Sequence, residues 1–219
     1  MSHARPRIPL WLKIAYTLYV SALVGVYSFT YGPANFLWFS DLALIATTAA
    51  LWLESSFLAS MLAVGIVAME IAWAVVFIGR LISGRRFGGV DQYMFAQNVA
   101  VGVRALSLFH IFLPVLLLWL IHRLGYERRA WMAQTLVCWV VYPLVFWLTN
   151  PAENIDWAFG PGAAPQHFMP RWAYLIVVML AVPALVYYPT HRMLLAVFGR
   201  ASSKETASPA VGSDIIARG

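Results

Sequence analysis

An all-α, polytopic integral membrane protein with six transmembrane helices and both termini cytoplasmic is the fold class this sequence predicts, and three observations predict it. Of 219 residues, 62% are hydrophobic and 11% are charged, whereas a soluble domain is about a quarter charged and needs those charges to cover its surface. The apolar residues gather into six segments of near bilayer-crossing length, at about 14–31, 36–53, 57–79, 101–121, 130–149 and 172–191. Backbone groups in lipid must be satisfied within their own segment, so each run is read as a helix. Together these exclude a soluble enzyme and assign residues 1–200 to a single transmembrane domain. The remainder, 201–219, is rich in Ser, Ala, Gly and Thr and reads as a disordered cytoplasmic tail.

Each element follows in order. Arg5, Arg7 and Lys13 ahead of the first apolar run imitate a signal peptide, but no small-x-small cleavage site precedes the second run, so the first helix is read as retained. Gly32-Pro33-Ala34-Asn35 and Glu54-Ser55-Ser56 are short turns, which makes helices one to three antiparallel neighbours. Two longer, polar connections follow, over residues 80–100 and 150–171. With the N-terminus inside, the inner face receives ten Lys and Arg residues, and the outer face receives four, Arg80, Arg85, Arg86 and Arg171. The positive-inside rule favours that orientation and assigns the Arg80–Arg86 cluster to an outer basic patch. The net charge of +6 is thereby a topology signal, and no nucleic-acid partner is expected. Trp11, Trp38, Trp52, Trp131, Trp147, Trp157 and Trp172 lie near helix ends, as interfacial anchors do. No internal repeat is present, which weighs against an inverted-repeat transporter. Cys138 is the single cysteine, so no intrachain disulfide can form, and it reads as a small buried hydrophobe.

Chemistry is sought where charge is expensive. Asp41, Glu70 and Arg104 are the charged residues well inside a span, and His110 joins them as an ionisable group. Each costs a few kcal/mol or more in lipid and calls for a partner inside the bundle. At about 1.5 Å per residue, Asp41 and Arg104 lie at similar shallow depths, roughly 8 and 5 Å from the outer helix ends. Glu70 and His110 match near the midplane, roughly 14 Å deep. Arg104, Ser107 and His110 recur at i, i+3 intervals and share one helix face, so a polar stripe descends from the outer side. The functional reading is a cavity lined by Asp41, Glu70, Arg104, Ser107 and His110, in which Glu70 orients His110 as a base, Asp41 completes the catalytic set and with Arg104 places a polar head group, and Arg104 and Ser107 bind substrate. The alternative is that both pairs are interhelical packing ties.

The outer loop adds Glu153, Asn154, Asp156 and Trp157, which either cover the mouth of that cavity and bind substrate or form a structured interfacial turn. A metal set of His110, His167, Asp41 and Glu153 would require the loop to fold inward, and no two histidines have ligand spacing, so neither metal nor other cofactor is expected. Ser107 as a nucleophile competes with a hydroxyl bonded back to its own helix. No Gly-x-Ser-x-Gly elbow occurs.

The stretches Asn35-Phe-Leu-Trp-Phe-Ser-Asp41, Arg104-Ala-Leu-Ser-Leu-Phe-His110-Ile-Phe-Leu-Pro114 and Asn150-Pro-Ala-Glu-Asn-Ile-Asp-Trp157 resemble a family of bacterial proteins described only as membrane-associated, over about residues 9–195. A looser likeness is to the androgen-induced six-helix lipid hydrolases, which pair Phe-Leu-x-Phe-x-Asp near the second helix with a His shortly before Leu-Pro. Phe36-Leu37-Trp38-Phe39-Ser40-Asp41 and His110 with Leu113-Pro114 are similar here, although that family's nucleophilic Thr falls at Trp38 and the His to Pro spacing differs by one. The expectation is a protein of the bacterial inner membrane that binds or acts on a lipid or other apolar small molecule. Its partners would be membrane lipid, with a membrane-protein partner or a second copy of itself as further candidates. A proton-linked carrier and an accessory subunit of a larger complex are the competing classes.

Overall fold

The computed structural model describes residues 8–86, 89, 91–162 and 164–199. Arg5, Arg7 and the 201–219 tail lie outside them, so the structure does not bear on the tail or on part of the charge count. No strand occurs among the described residues.

Helix α1 spans Leu10–Thr30 and turns Tyr16, Val20, Leu23 and Tyr27 inward at the four-three-four spacing of one helical face. Gly32, at φ 82°, reverses the chain into a 3₁₀ turn over Pro33–Leu37, and α2 then runs from Phe39 to Trp52. At 14 residues, α2 is shorter than the predicted 36–53 segment, and at about 1.5 Å per residue it falls short of a bilayer core of about 30 Å. Its first turn is replaced by the tighter 3₁₀ turn and by Trp38, which is extended at ψ 133°.

Helix α3, Ser56–Ser83, starts where the Ser55 hydroxyl accepts from Leu58 N–H at 3.2 Å and stops at left-handed Gly84, φ 66°. It runs one turn past the predicted end and carries Arg80 in that turn. The predicted 101–121 helix is broken: α4 covers Val101–Leu106, and α5 covers Phe109–Leu124. Between them His110 N–H donates to Ser107 C=O at 3.3 Å and Ile111 N–H to Leu108 C=O at 3.0 Å, the i to i+3 bonds of a 3₁₀ turn. The break has a cause one turn on, since Pro114 has no N–H for the His110 carbonyl and its ring crowds that carbonyl.

Helix α6 spans Ala130–Leu148. The sixth segment is one rod from Arg171 to Phe198, built of α7 (Arg171–Val182), a π turn (Pro183–Tyr187) and α8 (Tyr188–Phe198), the turn falling where Pro189 withholds an amide. Five of these rods are long and apolar enough to cross a bilayer.

Helix α3 is central and packs against α2, α5, α6 and α8. Ala59 and Ala63 are small residues on its buried face that let neighbours come close, and the space beside Gly65 holds the Gln134 side-chain amide, 2.6 Å from where a Cβ would lie. The 3₁₀ turns 33–37, 92–95 and 151–157 gather at one end of the bundle. At the opposite end, the Lys13 ammonium meets Glu54 at 2.8 Å, and the Ser60 hydroxyl accepts from Glu127 N–H at 2.9 Å.

The 150–171 loop at the 3₁₀ end is knitted to itself. The Asn154 amide donates to the Gly160 and Gly162 carbonyls at 2.9 and 2.6 Å and accepts from Phe159 N–H at 2.8 Å. At Gly160, an added Cβ would lie 2.5 Å from the Ala164 carbonyl oxygen and 2.6 Å from the Gln166 nitrogen. Gly160→Ala is therefore expected to part the Gln166 N–H from the Phe159 carbonyl, now 2.8 Å apart, and to raise hydrogen exchange at the Gln166 amide at least tenfold.

Candidate functional site

The centre of the site is the Glu70–His110 contact, Oε2 to Nδ1 at 2.6 Å, between α3 and the start of α5. Glu70 is buried and His110 partly so, with side chains 4% and 14% exposed. Bonding at Nδ1 fixes the tautomer and leaves Nε2 as the ring nitrogen that can take a proton from, or donate one to, a bound group. The imidazole is flanked by Trp73, stacked at 4.5 Å between centroids, and by Phe109 at 4.1 Å. Trp73 lies on the Glu70 face of α3, one turn along. An apolar sleeve of this kind holds the ring still and thins the water around it.

Asp41 is 5% exposed and lies in electrostatic reach of Glu70. Its Oδ2 accepts from the Asn35 amide at 3.4 Å, whereas Oδ1 is buried and has no hydrogen-bond partner. The expected ion pair with Arg104 is not formed. The Arg104 guanidinium donates from Nη1 to the Met94 carbonyl at 3.0 Å, and its buried Nε has no partner. Equal depth brought the two to one level of the bundle but not to one another, because the 92–95 turn comes against α4 and takes the guanidinium. Ser107 stays near the centre with its hydroxyl 2.5 Å from the Tyr27 hydroxyl, which is its hydrogen-bond partner. The i, i+3 stripe survives only in part, since the chain changes from α to 3₁₀ geometry between Ser107 and His110.

The loop residues fall elsewhere. Asn154 spends its amide inside the loop. Asp156 is buried, and both of its carboxylate oxygens accept from Phe39 N–H, at 3.2 and 3.1 Å. That bond caps α2 from 117 residues away and satisfies an amide at a helix start. Burial pushes the Asp156 carboxyl well above the usual carboxylate range, and the Phe39 N–H opposes that shift. Trp157 packs edge-on against Trp38 at 6.5 Å. Asn154, Asp156 and Trp157 are left-handed, at φ 44°, 50° and 57°, a conformation only a tight turn retains in such residues. Glu153 and His167 are exposed. Of the two readings of this loop, these contacts are those of a structured turn, which holds the start of α2 and hence Asp41. Among the described residues, no three His, Cys, Asp or Glu side chains gather as a metal-ligand set.

The segment that covers the site is the other loop. Residues 91–95 fold back onto α3, where Met94 packs with Trp73 and Phe77. Two latches hold it: Arg80 to Asp91 at 3.4 Å, with the guanidinium 3.8 Å from the Phe95 ring centre, and Arg104 to the Met94 carbonyl. Arg80 therefore leaves the predicted basic patch, while Arg85 and Arg86 are exposed. Replacing Asp91 and Arg104 together by Ala releases both latches and is expected to speed carbethoxylation of His110 by diethyl pyrocarbonate several-fold, read by peptide mass spectrometry.

Sequence reasoning missed Tyr27, Trp73 and Tyr93. Their signal was an aromatic residue away from the helix ends, or within a polar loop, where interfacial anchoring does not explain it. Comparison of the chain with known families, curated proteins and solved structures finds no match. What fold and site define is a class: an all-helical protein with several membrane-length apolar helices and a buried Asp–Glu–His centre beneath a latched turn.

Proposed function

We propose that the chain is a multi-pass integral membrane protein of the bacterial inner membrane that receives the polar end of a lipid or other apolar small molecule at this centre. His110 acts there as base, and Glu70 orients it. Membrane residence is supported by apolar side chains turned outward along the rods, among them Leu18, Val75, Val115, Leu136, Trp147 and Leu180, each at least 60% exposed, a surface that water does not tolerate. The observation that carries the site reading is Asp41 Oδ1. A buried carboxylate oxygen with no donor costs about 1–3 kcal/mol or more, and a second carboxylate in reach adds to that cost. A packing tie would have paired it.

Threonine-type hydrolysis is not part of this reading, because Trp38 stands at the nucleophile position and the Ser107 hydroxyl is turned to Tyr27. The test is to reconstitute wild type, Asp41→Asn and His110→Ala in vesicles of bacterial total lipid and compare lipid extracts by mass spectrometry. The expected result is a molecule retained or converted by the wild type alone. Identical extracts from all three would end this reading.

A proton-linked carrier is the second reading, favoured by the break in the helix beside His110, since discontinuous helices often frame transport sites. Proton flux into proteoliposomes that Glu70→Gln abolishes, with no lipid retained, would select it.

A further inference from the structure

Several buried polar atoms near the 3₁₀ end lack partners, and their chemistry narrows what the centre accepts. Asp41 Oδ1 is one and the Tyr93 hydroxyl another, both buried. The Tyr93 phenol lies in electrostatic reach of Asp41, Glu70 and Tyr27 and turns its hydroxyl toward that of Ser107, beyond full hydrogen-bond geometry, so it faces the site from the covering turn. Asp41 is likewise in reach of the phenols of Tyr19, Tyr27 and Tyr31. Two of these have already placed their hydroxyls, Tyr19 donating to the Leu106 carbonyl and Tyr27 bonding Ser107. Glu70 has His110 as its partner. Among the described residues no cation pairs with Asp41: the basic side chain at similar depth, Arg104, is bonded to the Met94 carbonyl.

We propose, resting on the reading above, that Asp41 and Tyr93 bind a positively charged ammonium group at the polar end of the ligand. Asp41 is an acid within electrostatic reach of several phenols. An ammonium N–H meets the free Oδ1, and a second meets the Tyr93 hydroxyl oxygen. Protonating Asp41 in place does not remove the need, because Oδ1–H would then be a buried donor with no acceptor. An alcohol satisfies one hydrogen bond but leaves the charge unmatched, and an anion is repelled by two carboxylates. The covering turn brings Tyr93, so the site is complete only when residues 91–95 lie in place.

The test uses the purified full chain in nonionic detergent and three probes with one tail: hexadecylamine, hexadecanol and hexadecanoate. Affinity is read by tryptophan fluorescence, for which Trp73 is the nearby reporter. The expected result is at least tenfold tighter binding of the amine, a preference lost in Asp41→Asn and weakened about threefold in Tyr93→Phe. Competition by ethanolamine alone would support the ammonium site and assign its natural ligand to a soluble amine, and no competition would support an amphiphile. Equal affinity for the three probes, a preference that survives Asp41→Asn, or the same fluorescence change from sodium ions alone would overturn the proposal. Should Asp41→Asn fail to fold, the probe comparison on wild type and on Tyr93→Phe decides. Failure here with a molecule still retained in vesicles leaves the functional reading intact, whereas identical vesicle extracts remove that reading without touching the probe preference.

Discussion

Glu70→Leu is expected to lower the unfolding midpoint of the purified chain by the equivalent of about 3 kcal/mol, and adding His110→Phe is expected to return most of that loss. The single substitution leaves the His110 Nδ1, now 2.6 Å from Glu70 Oε2, without its partner between Trp73 and Phe109. The double substitution removes both polar groups, and a phenyl ring suits the slot between two aromatic neighbours at 4.5 and 4.1 Å. Thermal melts of wild type, both single variants and the double variant give the coupling directly. Retention or conversion of lipid by the same four proteins then separates the two roles of the pair. A packing tie predicts that the restored double variant also works. A functional centre predicts a protein as stable as the double replacement allows that no longer retains or converts its molecule.

Asp156→Ala is expected to cost about 2 kcal/mol, the loss of a helix cap combined with a buried amide left unmet. The affected amide is that of Phe39, two residues before Asp41, so the same variant is expected to loosen the site that it does not touch. Asp156 also sets a pH dependence. Because burial raises its carboxyl above the usual range, the folded chain holds a proton that the unfolded chain has released. Folding then binds protons, and this contribution to stability falls as pH rises from about 4, the ordinary Asp value, toward the raised one. Asp156→Asn keeps an acceptor for Phe39 N–H and removes the titration. Melts across that pH range are expected to slope less for Asp156→Asn than for wild type, and equal slopes would show that another group carries the dependence.

The long rods were legible because a bilayer-length apolar run has few other ways to satisfy its backbone. Glu70 and His110 were legible for a related reason, since ionisable groups at one depth on adjacent helices have few other partners. The same reasoning paired Asp41 with Arg104 and was wrong there. Near a helix end, loop backbone competes for a guanidinium, and the Met94 carbonyl takes it. Asn154 and Asp156, read as substrate ligands, bond backbone groups in the structure, and a polar loop residue looks the same in sequence whether it faces a ligand or its own backbone.

By itself, the sequence determined the class of fold, the approximate positions of the apolar segments and the few residues at which buried charge must be answered. Those follow from composition and from distance along a helix, which are one-dimensional quantities. Tertiary structure decided which helix breaks, that Asp156 caps α2 from across the chain, that 91–95 and not 150–171 covers the centre, and that Asp41 keeps an unpartnered oxygen beside Tyr93. Each of these depends on which groups meet across the bundle, and a hydrogen bond of about 3 Å is decided by three-dimensional packing that spacing along the chain does not encode.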